Sequence, residues 1–166
     1  MTSSPGGLFG RQTRVAAPDG SGGWYVGGYY DDSGASPDSL LHVLADGSVD
    51  PNWKPDPDGT VTEIAVSGST VYVAGTFSNI GGQSRRYLAA LDAATGQATD
   101  WDPDPSVAVR ALLVSGNTLY AGGVGGVVSG QTRVQRRGIA AFDVASGQLT
   151  AWDPNVIGRV ESIAVS

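Results

Sequence analysis

Aspartates on alternate residues stand in two of the proline-rich segments of this chain. Asp56 and Asp58 lie in "KPDPDG", and Asp102 and Asp104 lie in "WDPDPS". Carboxylates spaced in this way can supply oxygen ligands to one Ca²⁺ ion, although the full EF-hand pattern is absent. The same carboxylates can instead accept hydrogen bonds from backbone N–H groups in rigid Asp-Pro turns. We favour the structural turn and expect no cofactor, with Ca²⁺ as the alternative.

Two pairs of arginines end the longer loops of the chain. Arg85 and Arg86 close "TFSNIGGQSRR", and Arg136 and Arg137 follow "VGGVVSGQTRVQ". Their planar guanidinium groups could hold an anionic ligand. Because Asp-Pro segments are expected on the same face, we favour a network of Arg–Asp pairs that joins neighbouring repeats of the chain.

A group of aromatic and acidic residues occurs only once, near the N-terminus. It comprises Trp24, Tyr25, Tyr29, Tyr30, Asp31 and Asp32. Because specificity in a repeat protein is expected in features that do not recur, Tyr29, Tyr30, Asp31 and Asp32 are candidate ligand-binding residues. His42 is the single histidine, and we expect it to be a packed or surface side chain, not a catalytic or metal-binding one.

The overall composition excludes several function classes. Ten Lys and Arg against 16 Asp and Glu give a net charge of -6, which disfavours binding to nucleic acid. The absence of cysteine rules out disulfides and thiolate chemistry. No stretch is apolar enough for a membrane span, and the N-terminus lacks the pattern of a signal peptide.

The elements that must position these residues repeat along the chain. Two aromatic positions recur at intervals of 47 to 51 residues, the tyrosines Tyr25, Tyr72 and Tyr120 and the tryptophans Trp53, Trp101 and Trp152. A side chain that recurs once in each unit is typical of packing between units, so we interpret the tryptophans as plugs between neighbours. Sequence periods of this length indicate a repeat architecture.

Each unit is predicted to hold four short antiparallel strands. In the middle unit these are "VTEIAVS", "TVYVAGTF", "YLAALDA" and "QATDW", joined by glycine-containing turns. Four such strands at this period are typical of a blade of an all-β propeller. The prediction is an N-terminal segment followed by a repeat region over 14–166, with the bounds 1–13, 14–59, 60–106, 107–158 and, for the first strand of a fourth unit, 159–166.

The repeats resemble the delta-60 repeat family of bacterial beta-propellers. The resemblance rests on "VYVAGTFSNIGGQSRRYLAALDAATGQATDWDP" and on its counterpart "LYAGGVGGVVSGQTRVQRRGIAAFDVASGQLTAWDP". The first unit departs from the pattern at "YYDDSGASPDS", and the third has "VGGVVSGQ" where the family has phenylalanine. The resemblance implies part of a larger bacterial protein that is secreted or attached to the cell surface, with no shared enzymatic activity.

The number of units bears on function, because propellers close with about four to eight blades. Three units would need the remaining blades of a longer chain or a second copy, for instance as a homodimer. We therefore expect a non-catalytic binding or structural module that binds itself, those blades, or a protein or carbohydrate ligand. The alternative is a carbohydrate-binding or carbohydrate-active propeller that uses the face with the longer loops.

Overall fold

A computed structural model describes residues 13–29, 39–123, 127–129 and 134–164. Tyr30, Asp31 and Asp32 lie outside these residues. All regular structure in the described part is β-strand, and every strand pairs antiparallel. The strands, numbered in chain order, are β1 Thr13–Pro18, β2 Trp24–Gly28, β3 Leu40–Val43, β4 Val61–Ser67, β5 Thr70–Gly75, β6 Asn79–Ile80, β7 Gln83–Ser84, β8 Leu88–Asp92, β9 Val109–Ser115, β10 Thr118–Gly123, β11 Val127–Ser129, β12 Val134–Arg136 and β13 Ile139–Asp143.

Each repeat forms one three-stranded sheet, which we call units 1, 2 and 3 in chain order. Their strand orders are β1-β2-β3, β4-β5-β8 and β9-β10-β13, so the second strand is always central. The loop between the second and third strands adds a small hairpin, β6–β7 in unit 2 and β11–β12 in unit 3. The first strands of successive units, β1, β4 and β9, lie beside one another.

The fourth predicted strand of each unit is reduced to a single bridge. The bridges join Val43 to Val49, Leu91 to Ala98, and Phe142 to Leu149. In unit 2 the pairing ends after Thr99, whose N–H donates to the carbonyl of Ala90 at 2.9 Å. The ladder does not continue because the N–H of Trp101, two residues later, donates to Oγ1 of Thr99 at 3.3 Å instead of to the sheet.

The predicted first strand of a fourth unit is not formed by residues 161–164. The described strands end with β13 and include no second strand of a fourth unit with which this segment could pair. Its beginning nevertheless packs on unit 3, since the N–H of Val160 donates to the carbonyl of Gly123 at 3.2 Å. A Cβ on Gly122 would lie 2.6 Å from Cγ1 of Val160, and a Cβ on Gly27 would lie 2.6 Å from Cγ1 of Val61. Val160 therefore contacts unit 3 as Val61 contacts unit 1.

The turns follow the predicted glycine chemistry. In the turns after the third strands, Gly96 and Gly147 have φ values of 73° and 69°. This left-handed region costs glycine nothing and strains other residues. Gly147 is also needed for space, because a Cβ there would lie 2.5 Å from Cδ1 of Trp101 in the preceding unit.

The tryptophans join each unit to the next, as the sequence predicts. Trp53 of unit 1 is 1% exposed, and its Nε1–H donates to the carbonyl of Asp92 in unit 2 at 3.4 Å. Trp101 of unit 2 donates to the carbonyl of Gly147 in unit 3 at 2.7 Å. Trp152 of unit 3 has no described unit to enter, and it is 44% exposed.

A tyrosine from the central strand supports each tryptophan. The ring centroids are 5.0 Å apart for Tyr25 and Trp53, and 5.5 Å apart for Tyr72 and Trp101. Trp101 also meets Phe142 of unit 3 edge-on, at 5.3 Å. The two buried clusters of the core accordingly span the boundaries between units 1 and 2 and between units 2 and 3.

The matched tryptophans allow a direct test of this packing. Trp53→Ala is expected to lower the free energy of unfolding by about 3–5 kcal/mol, because it leaves a cavity across a unit boundary. Trp152→Ala, at the same repeat position, should cost less than about 1 kcal/mol because that ring is half exposed. Urea denaturation followed by circular dichroism measures both, and equal losses would contradict the description.

Candidate functional site

Arg85 is a buried cation at the end of β7. It is 8% exposed, and its guanidinium donates to the carbonyls of Ser84 at 2.8 Å and Thr99 at 3.0 Å. The same group donates to Oε1 of Gln83 at 2.7 Å and lies 3.6 Å from a carboxylate oxygen of Asp102. Arg85 thus fastens the β6–β7 hairpin to the segment that carries the bridge to β8.

The arrangement recurs in unit 3. Arg136 donates to the carbonyl of Thr150 at 3.0 Å and lies 3.8 Å from a carboxylate oxygen of Asp153. Each arginine pairs with an aspartate of its own unit, 17 residues later in the chain. The prediction that Arg–Asp pairs join neighbouring units is therefore wrong. The hairpin folds back over its own sheet, so the nearest carboxylate belongs to the same unit.

The second arginine of each pair faces solvent. Arg86 forms an ion pair with Asp104 at 3.1 Å, with side chains 54% and 45% exposed. The side chain of Arg137 is exposed and forms no ion pair or hydrogen bond with the described residues. The difference follows from the sequence, since Asn155 occupies in unit 3 the position that Asp104 has in unit 2.

The candidate metal ligands have structural roles in the Asp-Pro segments. Asp56, Asp104 and Asn155 share one repeat position, with φ values of 43°, 38° and 49°. Aspartate and asparagine tolerate this left-handed conformation better than most residues do. The described part of the chain brings no three His, Asp or Glu side chains together as a metal site.

Asp58 joins unit 1 to unit 2, a role that the sequence prediction had given to the arginines. One of its carboxylate oxygens accepts from the N–H groups of Ser78 at 2.7 Å and Asn79 at 2.9 Å. The side-chain amide of Asn79 donates to the other oxygen at 2.7 Å. Burial alone would raise the pKa of Asp58, but the bonds from Asn79 and Ser78 lower it below its ordinary value.

His42 is packed, as expected from its position in a strand. Its Nε2 lies 3.1 Å from Asp19 and its Nδ1 lies 3.3 Å from Asp50. The ring stacks on Tyr25, with centroids 4.6 Å apart. Hydrogen bonds, first from Ser21 and then from His42, hold the pKa of Asp19 well below its usual range. The histidine thus ties two turns of unit 1 together.

Among the four candidate ligand-binding residues Tyr29, Tyr30, Asp31 and Asp32, Tyr29 is the one that the structure describes. Its ring is 46% exposed, and the guanidinium carbon of Arg14 lies 4.7 Å from the ring centroid. This is the geometry of a cation–π contact. Tyr29 therefore orients a cation on β1, which is a role that its sequence position alone does not indicate.

A charged cleft runs along the first strands of the units. We call it the first-strand cleft. It has a volume of about 330 Å³ and is lined by Arg14, Thr62, Glu63, Arg110 and Glu161. Four of them stand at one repeat position, namely Arg14, Thr62, Arg110 and Glu161. The sequence predictions missed this site because the residue type at that position changes from unit to unit. Aligning the repeats and looking for a variable charged position would have found it.

Glu63 is the least solvated charge in this cleft. Burial raises the pKa of its carboxyl, while the nearby Arg14 guanidinium lowers it in part. Glu161 forms an ion pair at 2.7 Å with Arg159. The two guanidinium groups of Arg14 and Arg110 therefore line a cleft in which the negative charges of Glu63 and Glu161 are already partly neutralised by arginines.

A second cleft, of about 420 Å³, lies at the boundary of units 2 and 3. Its lining residues include Trp101, Asp100 and Asp102. Tryptophan and aspartate together are residue types that suit polar, hydroxyl-rich ligands. The loops of this cleft belong to the two units that Trp101 joins.

Substitution at the paired arginines should separate the buried from the exposed role. Arg85→Ala leaves the carbonyls of Ser84 and Thr99 without this donor and should cost about 2–3 kcal/mol of unfolding free energy. Arg86→Ala removes only an exposed ion pair and should cost about 0–1 kcal/mol. Chemical denaturation measures both variants, and a larger loss for Arg86→Ala would refute the assignment.

Acid should destabilise the protein through its turn aspartates. Hydrogen bonds from Thr95 lower the pKa of Asp92, and those from Ser146 lower the pKa of Asp143. Their contribution to stability is therefore present above the unfolded pKa of about 3.9 and is lost as the pH falls below it. The variant Asp92→Asn/Asp143→Asn keeps an acceptor oxygen but does not titrate. We expect its urea midpoint to fall less than that of the parent between pH 5 and pH 3. An equal fall of the two midpoints would show that these carboxylates do not cause the acid destabilisation.

The described residues contain no helix of the length and apolarity needed to cross a membrane. A comparison with models of protein families gives no match, and a comparison with curated proteins gives none either. Among solved structures, the chain is similar to the computationally designed Ika4 protein, with a TM-score of 0.59, 16% identity, and coverage of 94% of this chain and 81% of that one. It is also similar to the computationally designed Ika8 protein, with a TM-score of 0.56 and 17% identity, and it spans 40% of that chain. These similarities concern the fold alone.

Proposed function

We propose that this chain is a non-catalytic β-propeller module in which each open end is covered by a further unit, which comes from a second copy of the chain associated head to tail or from the remaining blades of a longer chain. The observation that carries the proposal is the contrast between buried Trp53 and exposed Trp152 at one repeat position. A side chain that is 1% exposed inside the chain and 44% exposed at its end marks a contact surface without its partner.

The opposite end of the chain has the complementary feature. Trp24 of β2 is 47% exposed, whereas Val71 and Leu119 at the same repeat position are fully buried. These two residues face the preceding unit, which unit 1 lacks within the described chain. The two exposed tryptophans thus lie on opposite faces of the repeat array.

The turn that would receive Trp152 is open. In units 2 and 3 the preceding unit covers this turn. A Cβ added to Gly96 would lie 3.3 and 3.4 Å from the backbone nitrogens of Lys54 and Pro55, and one added to Gly147 would meet Trp101. Gly47 in the corresponding turn of unit 1 has nothing within 4 Å of an added Cβ. Exposed Trp152 at one end and the open turn at Gly47 at the other favour a heterologous contact between copies. Such a contact forms a ring if the rotation between successive copies closes.

Two further observations support the propeller arrangement. The first strands of successive units lie side by side, with the second and third strands following outward in order. The sequence motifs resemble the delta-60 repeat family, which implies a bacterial protein that is secreted or attached to the cell surface. Two copies of three units would give a number of blades within the usual range of about four to eight.

Carbohydrate binding is the second candidate function. The cleft at the boundary of units 2 and 3, whose lining residues include Trp101, Asp100 and Asp102, favours it. Glycan-array binding that disappears in Asp100→Ala, with the melting temperature unchanged, would support this function. The absence of any glycan signal would leave the structural module as the better account.

Light scattering after size-exclusion chromatography tests the association. The 16.9 kDa chain is expected to elute at a multiple of its mass, with a dimer for two three-unit halves. Trp24→Arg and Trp152→Arg should each give a monomer, because each places a charge at one side of the same contact. Ser69→Arg adds the same charge at an exposed turn of unit 2 and should leave the assembly intact.

A monomer of the parent chain across the micromolar range would overturn self-association. A multimer that both tryptophan variants retain would show that copies associate through another surface. Circular dichroism of each variant confirms that the change in mass does not reflect loss of fold.

A further inference from the structure

The first-strand cleft brings two guanidinium groups together on a chain with a net charge of -6. Arg14 comes from β1 of unit 1 and Arg110 from β9 of unit 3, with β4 of unit 2 between them. We propose that the first-strand cleft is a binding site for a small organic carboxylate that also carries a hydroxyl or amino group. All its residues belong to one chain, so the proposal is independent of the association described above.

Arg110 supplies the free cation of this site. It is exposed on β9, and its side chain forms no ion pair or hydrogen bond with the described residues. A guanidinium is always charged, and its planar fork matches the two oxygens of a carboxylate. An unpaired arginine at the wall of a cleft is therefore ready to bind an anion.

Arg14 supplies the second cation in a fixed place. Its guanidinium carbon lies 4.7 Å from the centroid of the Tyr29 ring, so this contact restricts the freedom of the side chain. A side chain ordered before binding loses less entropy when the ligand arrives. Two arginines on separate strands can then hold two carboxylate groups, or one carboxylate from both sides.

The carboxylates of the cleft set the selectivity for the rest of the ligand. Glu161 is engaged by Arg159 at 2.7 Å, which reduces its repulsion of an anion. Glu63 is partly buried on β4, between the strands that carry Arg14 and Arg110. Because a carboxylate only accepts hydrogen bonds, Glu63 requires a donor on the ligand, such as a hydroxyl or an ammonium group. A bare inorganic anion lacks this donor.

A volume of about 330 Å³ lies at the lower end of the range of small-molecule sites, which is about 300–1,000 Å³. It fits a ligand of the size of citrate, which offers three carboxylates and one hydroxyl. Citrate is therefore the probe of choice, and inorganic sulfate is the comparison anion without a hydroxyl or amino group.

Isothermal titration calorimetry at low ionic strength tests the site. Citrate should bind the parent chain saturably, with one site per chain, and more tightly than sulfate. Arg110→Gln removes one charged fork and should weaken citrate binding by about tenfold or more. Arg137→Gln is the matched control, because it removes an exposed, unpaired arginine outside the cleft and should leave the affinity unchanged.

A variant that is expected to strengthen anion binding makes the test sharper. Glu63→Gln removes the partly buried negative charge, so it should tighten the binding of sulfate and narrow the preference for citrate. If Arg110→Gln fails to fold, Arg110→Lys keeps the charge without the fork and should weaken citrate binding. Equal effects of Arg110→Gln and Arg137→Gln, or no saturable citrate binding by the parent chain, would overturn the proposal.

Discussion

The insertion of one tryptophan into the next unit is the interaction on which the rest of this structure depends. A three-stranded sheet of this size cannot bury both of its faces by itself, so each unit needs a neighbour. Trp53 and Trp101 meet that need by crossing the boundary and donating to a carbonyl in the following turn. The buried clusters therefore lie between units, and the order of the units along the chain becomes their order in space.

This dependence separates the surfaces that hold the fold from the surfaces that are free to bind. Arg85, which is buried, and Arg136, which is largely buried, donate to carbonyls and pair with aspartates of their own units. At the first strands, by contrast, the repeat position carries arginine in units 1 and 3, threonine in unit 2 and glutamate at Glu161, so its identity is not dictated by packing. A variable position on an invariant framework is where a repeat protein can acquire a specific site.

The repeat pattern predicts much of this fold because the packing of each unit depends on the same few residues. The three paired strands of each unit coincide with the apolar runs of the sequence. The interpretation of the tryptophans as plugs between neighbouring units is confirmed for Trp53 and Trp101. The fourth strand fails because an apolar pattern does not reveal that the N–H of Trp101 will donate to the hydroxyl of Thr99 instead of to the sheet. The partners of the arginines are not set by the sequence pattern, because they depend on how each hairpin folds back over its own sheet. The first-strand cleft is visible in the sequence only when the repeats are aligned and a variable charged position is sought.

A double-mutant cycle between Trp101 and Phe142 tests the central claim most directly. These rings lie in different units and meet edge-on at 5.3 Å. Unfolding free energies of Trp101→Leu, Phe142→Leu and the double variant should show a coupling of about 0.5–1.5 kcal/mol. Losses that add to within about 0.3 kcal/mol would contradict the account, because the tryptophan would then not bind its neighbouring unit.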